Sequence, residues 1–298
     1  MIALITGASS GMGRSFARIL ARRGFDIVIV ARRRQRLMEL KQELTEKYGV
    51  RVKVLCHDLA DPDECIQLYE EVEHANIDIV INNAGFGVFG KFTETDLDSE
   101  LKMIDVNIKA VHILTKLFLK RFVKRNYGYI LNIASLAGFM AGPFFSSYYA
   151  SKNYVLQLTK ALYEELRSEG SNVYIGAFCP GPVKTEFNSV AGADFAVEGL
   201  DEMSAAEYAI EKMFDGQLVI VPSLYAKVLS AAVRFAPTKM LLAATGKVQR
   251  ARNQNEPVND LETPVNNGAD LKLRLSDEEL QDAISGMYDD IKDINGLI

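Results

Sequence analysis

The sequence lacks any long apolar run and contains little cysteine. No apolar stretch in its 298 residues reaches the roughly 18 that a membrane-spanning helix needs. Cys56, Cys65 and Cys179 show no metal-ligand spacing, and their odd number leaves one without a disulfide partner. The strand-like run MIALITG stands where a secretory leader would show a charged and then an apolar region. We therefore expect a cytoplasmic protein of a reducing compartment, without a bound metal.

An excess of charge of one sign is also missing. The chain has 34 basic and 39 acidic residues and a net charge of −5, which gives no indication of a nucleic-acid partner. Apolar residues make up 48% and charged residues 24%, as in ordinary soluble globular proteins. The length suffices for one large α/β domain or two small ones, and no internal repeat is visible.

Short apolar runs alternate with helical patterns from residue 2 to about residue 222. The runs are continuous rather than alternating, which indicates strands buried on both faces of a parallel sheet. The pattern therefore predicts a doubly wound, Rossmann-type α/β sheet of about seven strands with helices on both faces. The predicted strands are IALIT, FDIVIVA, RVKVLCHDL, IDIVINNAG, GYILNIAS, NVYIGAFCPG and QLVIVP. The predicted helices cover about 14–23, 33–47, 66–72, 97–124 and a segment around residue 148 that ends near 170.

The composition changes after Pro222. Residues 216–255 contain six basic residues and no acidic one, and 223–252 is predicted to be a basic amphipathic helical extension, broken at Pro237. Such a helix packs on its own domain or a sister subunit more often than on a membrane surface. The remainder, 253–298, is interpreted as an acidic linker and a terminal helix. We thus divide the chain into 1–222, with a substrate lid over about 186–215, then 223–252 and 253–298.

The stretch TGASSGMG lies directly between the first predicted strand and the first predicted helix. Its glycines permit a tight turn and a close approach of the backbone to a ligand. The N–H groups at the start of the helix form an anion site that suits a dinucleotide pyrophosphate. We predict cofactor contacts from Gly7, Ser9, Ser10, Gly11, Met12 and Gly13.

No carboxylate follows the second predicted strand, where an NAD-preferring site places one for the ribose 2′-hydroxyl. The chain has Ala31 and then Arg32, Arg33 and Arg34 at this position. Arg32 is able to pair with a 2′-phosphate, so we predict NADP(H) in preference to NAD(H). The alternative is a solvated helix start, although cations are mildly unfavourable there.

The pattern Tyr-x-x-x-Lys occurs three times, at Tyr148/Lys152, Tyr208/Lys212 and Tyr288/Lys292. The spacing puts both side chains on one face of a helix, but chance alone produces about one such match in a chain of this composition. Only Tyr148 follows a strand that ends in a serine, Ser135, and precedes the stretch PGPVKT. The context therefore favours Tyr148 and Lys152.

The motifs TGASSGMG, HDL, NNAG, DVN, IAS, YYASK and PGPVKT follow one another as in the short-chain dehydrogenase/reductase family, which the chain resembles over about residues 2–222. The resemblance implies a catalytic group of Asn107, Ser135, Tyr148 and Lys152. It also implies cofactor contacts from Asp58, Leu59, Asn83, Ala84, Gly85, Pro180, Gly181, Val183 and Thr185, together with Tyr148 and Lys152. Residues 223–252 resemble, more weakly, the extension of the DltE-like oxidoreductase branch.

The implied reaction interconverts a carbonyl and a secondary alcohol. A carbonyl oxygen that gains negative charge needs a proton donor within hydrogen-bond reach. Tyr148 would be that acid, because a nearby ammonium such as that of Lys152 favours a phenolate. By the same resemblance, Ser135 would bond the substrate carbonyl and Asn107 would hold a relay water. The alternatives are a turn cap at Ser135 and an ordinary surface pair at Tyr148 and Lys152.

Three segments beyond the strand ends are rich in phenylalanine and small residues, namely 86–92, 136–145 and 186–203. They indicate a lipophilic carbonyl substrate, such as a fatty acyl chain or a steroid-like ketone, unless they are simply core. We expect a homodimer or homotetramer. Two other functions remain open, a non-catalytic nucleotide sensor on the same fold and an epimerase or dehydratase.

Overall fold

Seven parallel strands form the centre of the structure, a computed structural model that describes residues 1–183, 185–187, 200–222 and 236–251. All of these residues belong to one compact unit, Met1–Asn255. The strands lie in the order β3-β2-β1-β4-β5-β6-β7, which confirms the predicted Rossmann-type sheet. They are β1 Ile2–Thr6, β2 Asp26–Val30, β3 Val52–Leu55, β4 Ile77–Asn82, β5 Tyr129–Ile133, β6 Tyr174–Phe178 and β7 Val219–Ile220.

Both faces of the sheet are covered, as the continuous apolar strands require. In β1, Ala3 and Ile5 belong to one hydrophobic cluster, whereas Leu4 between them belongs to a second cluster on the opposite face. All three side chains are completely buried. Successive strand residues point to opposite faces, so apolar residues at every position give a sheet with a core on each side.

The helices of the described residues are α1 Gly11–Arg22, α2 Arg34–Tyr48, α3 Pro62–Glu71, α4 Leu97–Ile104, α5 Val111–Arg125, α6 Ser146–Ser168, α7 Glu202–Phe214 and α8 Thr238–Ala251. Helix α3 begins four residues before the predicted start because Asp61 accepts a hydrogen bond from the Asp63 N–H and Pro62 occupies the first helical position. None of these helices is long and apolar enough to cross a membrane.

The predicted helix over 97–124 is interrupted. A wider π-helical segment, Asp105–Ala110, separates α4 from α5. Single π-turns inside α-helices often mark functional positions, and this one contains Asn107. A periodic sequence pattern does not reveal such a turn, because the apolar spacing continues on both sides of it.

The strand order reverses between β1 and β4. From β1 the chain moves outward to β2 and β3, and it then returns to build β4 to β7 on the other side. In open parallel sheets, ligands bind beyond the carboxyl ends of the strands at such a switch point. The segments that follow β1, β2, β4 and β5 therefore border the candidate site.

The predicted lid over about 186–215 overlaps an ordered helix at residues 202–214. This segment is helix α7, whose Ala206, Ile210 and Met213 side chains are completely buried in the core. Residues 188–199 lie outside the described residues. The same is true of 223–235 and 252–298, which hold most of the predicted extension and the whole acidic tail. The described part of the extension is α8, which continues to Ala251.

Candidate active site

The glycine loop forms the floor of the site between β1 and α1. Gly7 and Gly11 have positive φ angles of 66° and 52°, in the region that favours glycine. A Cβ on Gly7 would lie 2.8 Å from the Ala84 Cα, and one on Gly13 would collide with the carbonyl oxygen of Gly7. The backbone of the loop is therefore tightly packed, and side chains at these positions would displace it.

Thr6 fixes the NNAG segment beside this loop. Its Oγ1 accepts hydrogen bonds from the N–H groups of Asn83 at 2.9 Å and Ala84 at 3.0 Å. In return, the Asn83 side-chain amide donates to the Thr6 carbonyl oxygen at 2.9 Å. The predicted cofactor residues that follow β4 therefore lie directly against those that follow β1.

The PGPVKT segment reaches the same place from β6. A Cβ on Gly11 would lie 3.2 Å from the Thr185 Cβ, so Thr185 lies next to the start of α1. Val183 forms a parallel bridge with Leu200, and the Leu136 N–H donates to the Pro180 carbonyl oxygen at 3.0 Å. Gly181 also lies close to Leu136, since a Cβ added to this glycine would lie 3.4 Å from the Leu136 Cδ1.

The arginine that contacts the glycine loop is Arg33, whereas the sequence analysis selected Arg32. Arg33 Nε donates to the Ser9 Oγ at 3.1 Å and Nη2 donates to the Ser10 Oγ at 2.6 Å. The Arg32 Nη1 lies 3.6 Å from a carboxylate oxygen of Asp58, and its side chain is 68% exposed. The two hydroxyls and the Arg33 guanidinium form a polar cluster at the N-terminus of α1.

Two predicted cofactor residues have side chains in the hydrophobic core. Leu59 is buried with Leu55 and Leu68 on one face of the sheet, and Met12 packs against the cluster on the other face. Their side chains are therefore occupied by core packing, and only their backbone groups are suited to contact a nucleotide.

Lys152 is buried beneath the candidate site. It is 5% exposed, and its Nζ donates a hydrogen bond to the carbonyl oxygen of Ile133 at 2.8 Å. Burial lowers the pKa of Lys152 to about 8, because the charged form loses its hydration. The ammonium lies 5.8 Å from the centre of the Tyr148 ring, one helical turn away on α6.

Tyr148 stands among aromatic side chains. Its ring stacks on Phe145 with 4.5 Å between centroids and an angle of 21°, and the Phe187 ring lies 5.4 Å away. Phe145 also meets Phe89 edge to face at 5.7 Å. The phenol is 9% exposed, so it lies in an apolar environment beside a buried cation.

Asn107 links the π-helical segment to the backbone that follows β4. Its Oδ1 accepts from the Phe86 N–H at 3.1 Å, and its Nδ2 donates to the Phe86 carbonyl oxygen at 2.9 Å and the Ser151 Oγ at 3.0 Å. A Cβ on Gly85 would lie 2.9 Å from the Asn107 Oδ1 and 3.5 Å from the Lys152 Nζ. The structure therefore brings Asn107 and Lys152 together around Gly85.

Ser135 follows β5 and caps a short 3₁₀ helix, Leu136–Phe139. Its Oγ accepts a hydrogen bond from the Ala137 N–H at 3.1 Å. The capping role that we considered as an alternative is thus real. It uses an oxygen lone pair, and within the described part of the chain the hydroxyl proton makes one long contact, 3.5 Å to the Pro180 carbonyl oxygen.

The second Tyr-x-x-x-Lys pair lies elsewhere. Lys212 on α7 pairs with Asp215 at 2.7 Å and Glu211 at 3.2 Å, in solvent-exposed contacts. Tyr208 packs against the hydrophobic cluster on the face of the sheet that includes α1 and α7. The third pair, Tyr288 and Lys292, lies outside the described residues. Of the two described pairs, the contacts place Tyr148 and Lys152 near Gly85 and Asn107.

Glu186 lies at the site although no sequence motif marks it. This carboxylate joins Arg33 Nη1 at 2.9 Å and Arg36 Nη1 at 2.5 Å. The two guanidinium groups lower the pKa of Glu186 below its usual range by hydrogen bonding. The pairs span about 150 positions along the chain, so no local pattern indicates them.

A glycine loop at the switch point of a doubly wound sheet, with a buried lysine one turn from a tyrosine, is the arrangement of a nicotinamide-dependent oxidoreductase. The family model described as short chain dehydrogenase matches residues 1–195. The chain therefore belongs to the short-chain dehydrogenase family.

Individual relatives agree with this assignment. The chain is 32% identical over 201 residues to a very-long-chain 3-oxoacyl-CoA reductase of Anas platyrhynchos, a match that covers 65% of this chain and 63% of the relative. It is 33% identical to an uncharacterized oxidoreductase of Staphylococcus saprophyticus, over 71% of this chain and 91% of that protein. The chain thus aligns with less than two thirds of the Anas protein's length.

Among solved structures, the chain is similar to a short-chain dehydrogenase from Sphingobium yanoikuyae in complex with NADPH. The TM-score is 0.73 at 34% sequence identity, and the superposition covers 80% of this chain and 94% of that chain. The match supports both the family and the use of a nicotinamide dinucleotide.

Proposed function

We propose that the protein is an NADP(H)-dependent oxidoreductase that interconverts a lipophilic ketone and its secondary alcohol, with Tyr148 as the acid. One observation carries the proposal. The buried ammonium of Lys152 lies one helical turn from Tyr148 and beside Asn107 and Gly85, beyond the carboxyl ends of β4 and β5. A buried cation next to a phenol is costly, and ionisable groups perturbed in this way are concentrated at functional sites.

The residues present fit a dinucleotide. Gly7, Gly11 and Gly13 bring backbone N–H groups to the N-terminus of α1, where a pyrophosphate is stabilised. Arg33, with the Ser9 and Ser10 hydroxyls, offers donors for a 2′-phosphate. Asn83, Ala84 and Gly85 would line the ribose, and Pro180, Gly181, Val183 and Thr185 the nicotinamide. A reduced nicotinamide bound there would supply the hydride for the carbonyl carbon.

The remaining chemistry belongs to side chains of this chain. The Tyr148 hydroxyl gives its proton to the substrate oxygen as that oxygen gains charge, which leaves a phenolate. Lys152 stabilises the phenolate as a nearby cation, and Ser135 directs its hydroxyl proton to the substrate oxygen. Asn107 holds the Phe86 backbone and orients a relay water towards Lys152, from which the proton on Tyr148 is restored.

The substrate proposal rests on the apolar surroundings of Tyr148. Phe145 and Phe187 flank its ring, and Phe86, Val88 and Phe89 pack against the same cluster. Apolar walls with few polar groups favour lipophilic ligands. The name of the Anas relative, a very-long-chain 3-oxoacyl-CoA reductase, supports a 3-oxoacyl or similar apolar ketone.

The decisive experiment is Tyr148→Phe, assayed with apolar ketones and NADPH at the nicotinamide absorbance. Loss of a general acid is expected to lower kcat by about a hundredfold or more, while the Kd for NADPH stays unchanged. Tyr208→Phe, in the other described Tyr-x-x-x-Lys pair, serves as the matched control and should retain wild-type turnover. Unchanged turnover in Tyr148→Phe would remove this residue from the mechanism.

The same assay separates the other functions. A non-catalytic sensor would bind NADPH and turn over no ketone or alcohol in a broad screen. An epimerase or dehydratase would convert substrate without net change in the nicotinamide absorbance.

We further propose that the protein is cytoplasmic, that residues 1–222 form the catalytic domain, and that the chain assembles as a homodimer or homotetramer. Light scattering measures the mass of the oligomer directly.

A further inference from the structure

The end of α8 lies against the loop that joins β5 to α6, residues 134–145. The Gln249 side-chain amide donates a hydrogen bond to the Tyr149 hydroxyl at 2.6 Å, although the two residues are 100 positions apart. Gln249 is 1% exposed. A polar side chain so deeply buried is costly unless its bonds are made, so this contact fixes the position of α8 on α6.

Two further contacts join α8 to the same loop. A Cβ on Gly246 would lie 3.6 Å from the Pro143 Cγ, so the helix backbone lies close to this proline. The Arg250 guanidinium lies 5.6 Å from the centre of the Phe144 ring. Gly246 and Gln249 are three residues apart and therefore belong to one face of α8, and both are buried.

The loop itself needs support from outside. Phe144 has a φ angle of 63°, a conformation that is strained for a residue with a side chain. The carbonyl oxygen of Phe144 accepts from the Gly90 N–H at 2.8 Å. The next residue, Phe145, stacks on Tyr148. A change in the Phe144 backbone would therefore move the ring on which the proposed acid rests.

The two halves of the loop are held differently. Asn153 on α6 donates to the carbonyl oxygens of Ala137 at 3.0 Å and Met140 at 2.8 Å, which fixes the first half. The second half begins at Gly142, where an added Cβ would lie 2.5 Å from the Tyr149 ring. Tyr149 thus covers Gly142 with its ring and holds Gln249 with its hydroxyl.

We propose that Gln249 and Tyr149 are positioning residues that hold the second half of the loop, and with it Phe145 and the substrate pocket wall, in the shape that binds a bulky ketone. The proposal rests on the proposed function only in that Tyr148 and this loop face the substrate. It assigns α8 a role as part of the substrate site.

The test uses the full chain with Gln249→Ala and Tyr149→Phe, which break the same bond from its two ends. Loss of this buried hydrogen bond releases the second half of the loop, so kcat/KM for a bulky lipophilic ketone should fall about five- to a hundredfold. The fall should appear mainly in KM and be smaller for a compact ketone. The Kd for NADPH should stay within about twofold.

The double variant and a neighbouring control complete the test. Since both changes remove one bond, the double variant should lose little more activity than the more damaged single variant. Val248→Ala, at an exposed position of the same helix, should behave as wild type. If Gln249→Ala does not fold, Tyr149→Phe, which deletes a single oxygen, carries the measurement.

The outcomes are distinct. Wild-type kcat/KM for bulky ketones in a folded Gln249→Ala or Tyr149→Phe variant would overturn the positioning role, even where Tyr148→Phe abolishes turnover. Equal losses for bulky and compact ketones would also overturn it, because a general loss of structure is not selective. Persistent turnover in Tyr148→Phe would instead show that Tyr148 is not the acid. The positioning role would then still be decided by the difference between bulky and compact ketones in the Gln249→Ala and Tyr149→Phe variants.

Discussion

The Lys152 ammonium nitrogen lies 2.8 Å from the carbonyl oxygen of Ile133, the last residue of β5. This hydrogen bond orients a lysine that burial removes almost entirely from water. Burial lowers the pKa of Lys152 from 10.5 to about 8. A pKa closer to neutral pH makes it easier for the amine to exchange protons. The fold therefore keeps the Lys152 ammonium buried at a cost in stability, which indicates a functional role for this charge.

A consequence for stability follows from this pKa. Between about pH 8 and pH 10.5 the unfolded chain holds a proton on Lys152 that the folded chain has released, so the free energy of unfolding rises with pH. Below about pH 8 both states hold the proton and the slope from this group disappears. Lys152→Met should lack the rise. The free energy of unfolding of the wild type relative to Lys152→Met should increase by about 3 kcal/mol over this range.

Urea titrations at a series of pH values measure this difference, in which contributions from other groups cancel. Lys102→Met, which removes a lysine at an exposed position of α4, is the matched control for the loss of a charge. A flat difference for Lys152→Met would mean that the ammonium is well solvated in the fold.

The second prediction concerns which arginine recognises the cofactor. Arg33 contacts Ser9 and Ser10 of the glycine loop, whereas Arg32 is mostly exposed beside Asp58. Hydrogen bonds to charged groups contribute about 1.5–3 kcal/mol, so Arg33→Met should raise the Kd for NADPH at least about tenfold. The Kd for NADH should change little, because NADH lacks the 2′-phosphate. Calorimetric titration of both nucleotides measures these values.

Arg32→Met is the matched control for that experiment and should have the smaller effect on NADPH. A larger loss in Arg32→Met than in Arg33→Met would restore the assignment made from the sequence. Equal losses of NADPH and NADH in Arg33→Met would show that this side chain supports the loop without reading the phosphate.

The third prediction concerns Glu186, which holds both Arg33 and Arg36. A 2′-phosphate competes with this carboxylate for Arg33, so Glu186→Gln should lower the Kd for NADPH. The pairs are exposed, and exposed ion pairs are worth less than about 1 kcal/mol, which limits the expected gain to about fivefold. The arginines lower the pKa of Glu186, so it remains ionised at neutral pH and the effect persists there.

Glu207→Gln removes a comparable exposed carboxylate, which pairs with Arg22 away from the glycine loop, and should leave both nucleotides unaffected. If Glu186 and the 2′-phosphate compete for Arg33, Glu186→Gln should bind NADPH more tightly and leave the Kd for NADH unchanged. A weaker affinity of Glu186→Gln for NADPH would show that the carboxylate helps to orient Arg33 for the phosphate.

Much of the fold and the candidate site could be predicted from the sequence, because local patterns encode them. The strands are continuous apolar runs since both faces of the sheet are buried, and Gly7 and Gly13 are glycines since a side chain there would displace the backbone. The pair of Tyr148 and Lys152 was distinguished from its competitors by the motifs around it. These features depend on neighbours in the sequence or on a spacing of one helical turn.

The features that the sequence did not reveal depend on distant partners. Arg32 and Arg33 are adjacent and chemically identical, and only the positions of Ser9 and Ser10 distinguish them. The π-helical turn around Asn107 preserves the apolar periodicity on both sides. The bond from Gln249 to Tyr149 joins two ordinary-looking polar residues, and no pattern predicts their contact.

The last prediction compares two glycines at helical positions. Gly246 lies inside α8, where an alanine Cβ would make an ordinary 3.6 Å contact with the Pro143 Cγ, and Gly49 ends α2 with a φ angle of 68°. Gly246→Ala should stabilise the protein by about 0.5–1 kcal/mol, since alanine favours the helix, and should raise Tm by about 2 °C. Gly49→Ala should lower Tm by a similar amount, because its left-handed conformation disfavours a side chain. Calorimetry measures both. A destabilised Gly246→Ala variant would show that α8 approaches Pro143 too closely to admit a methyl group, and its kcat/KM for bulky ketones should then fall as well.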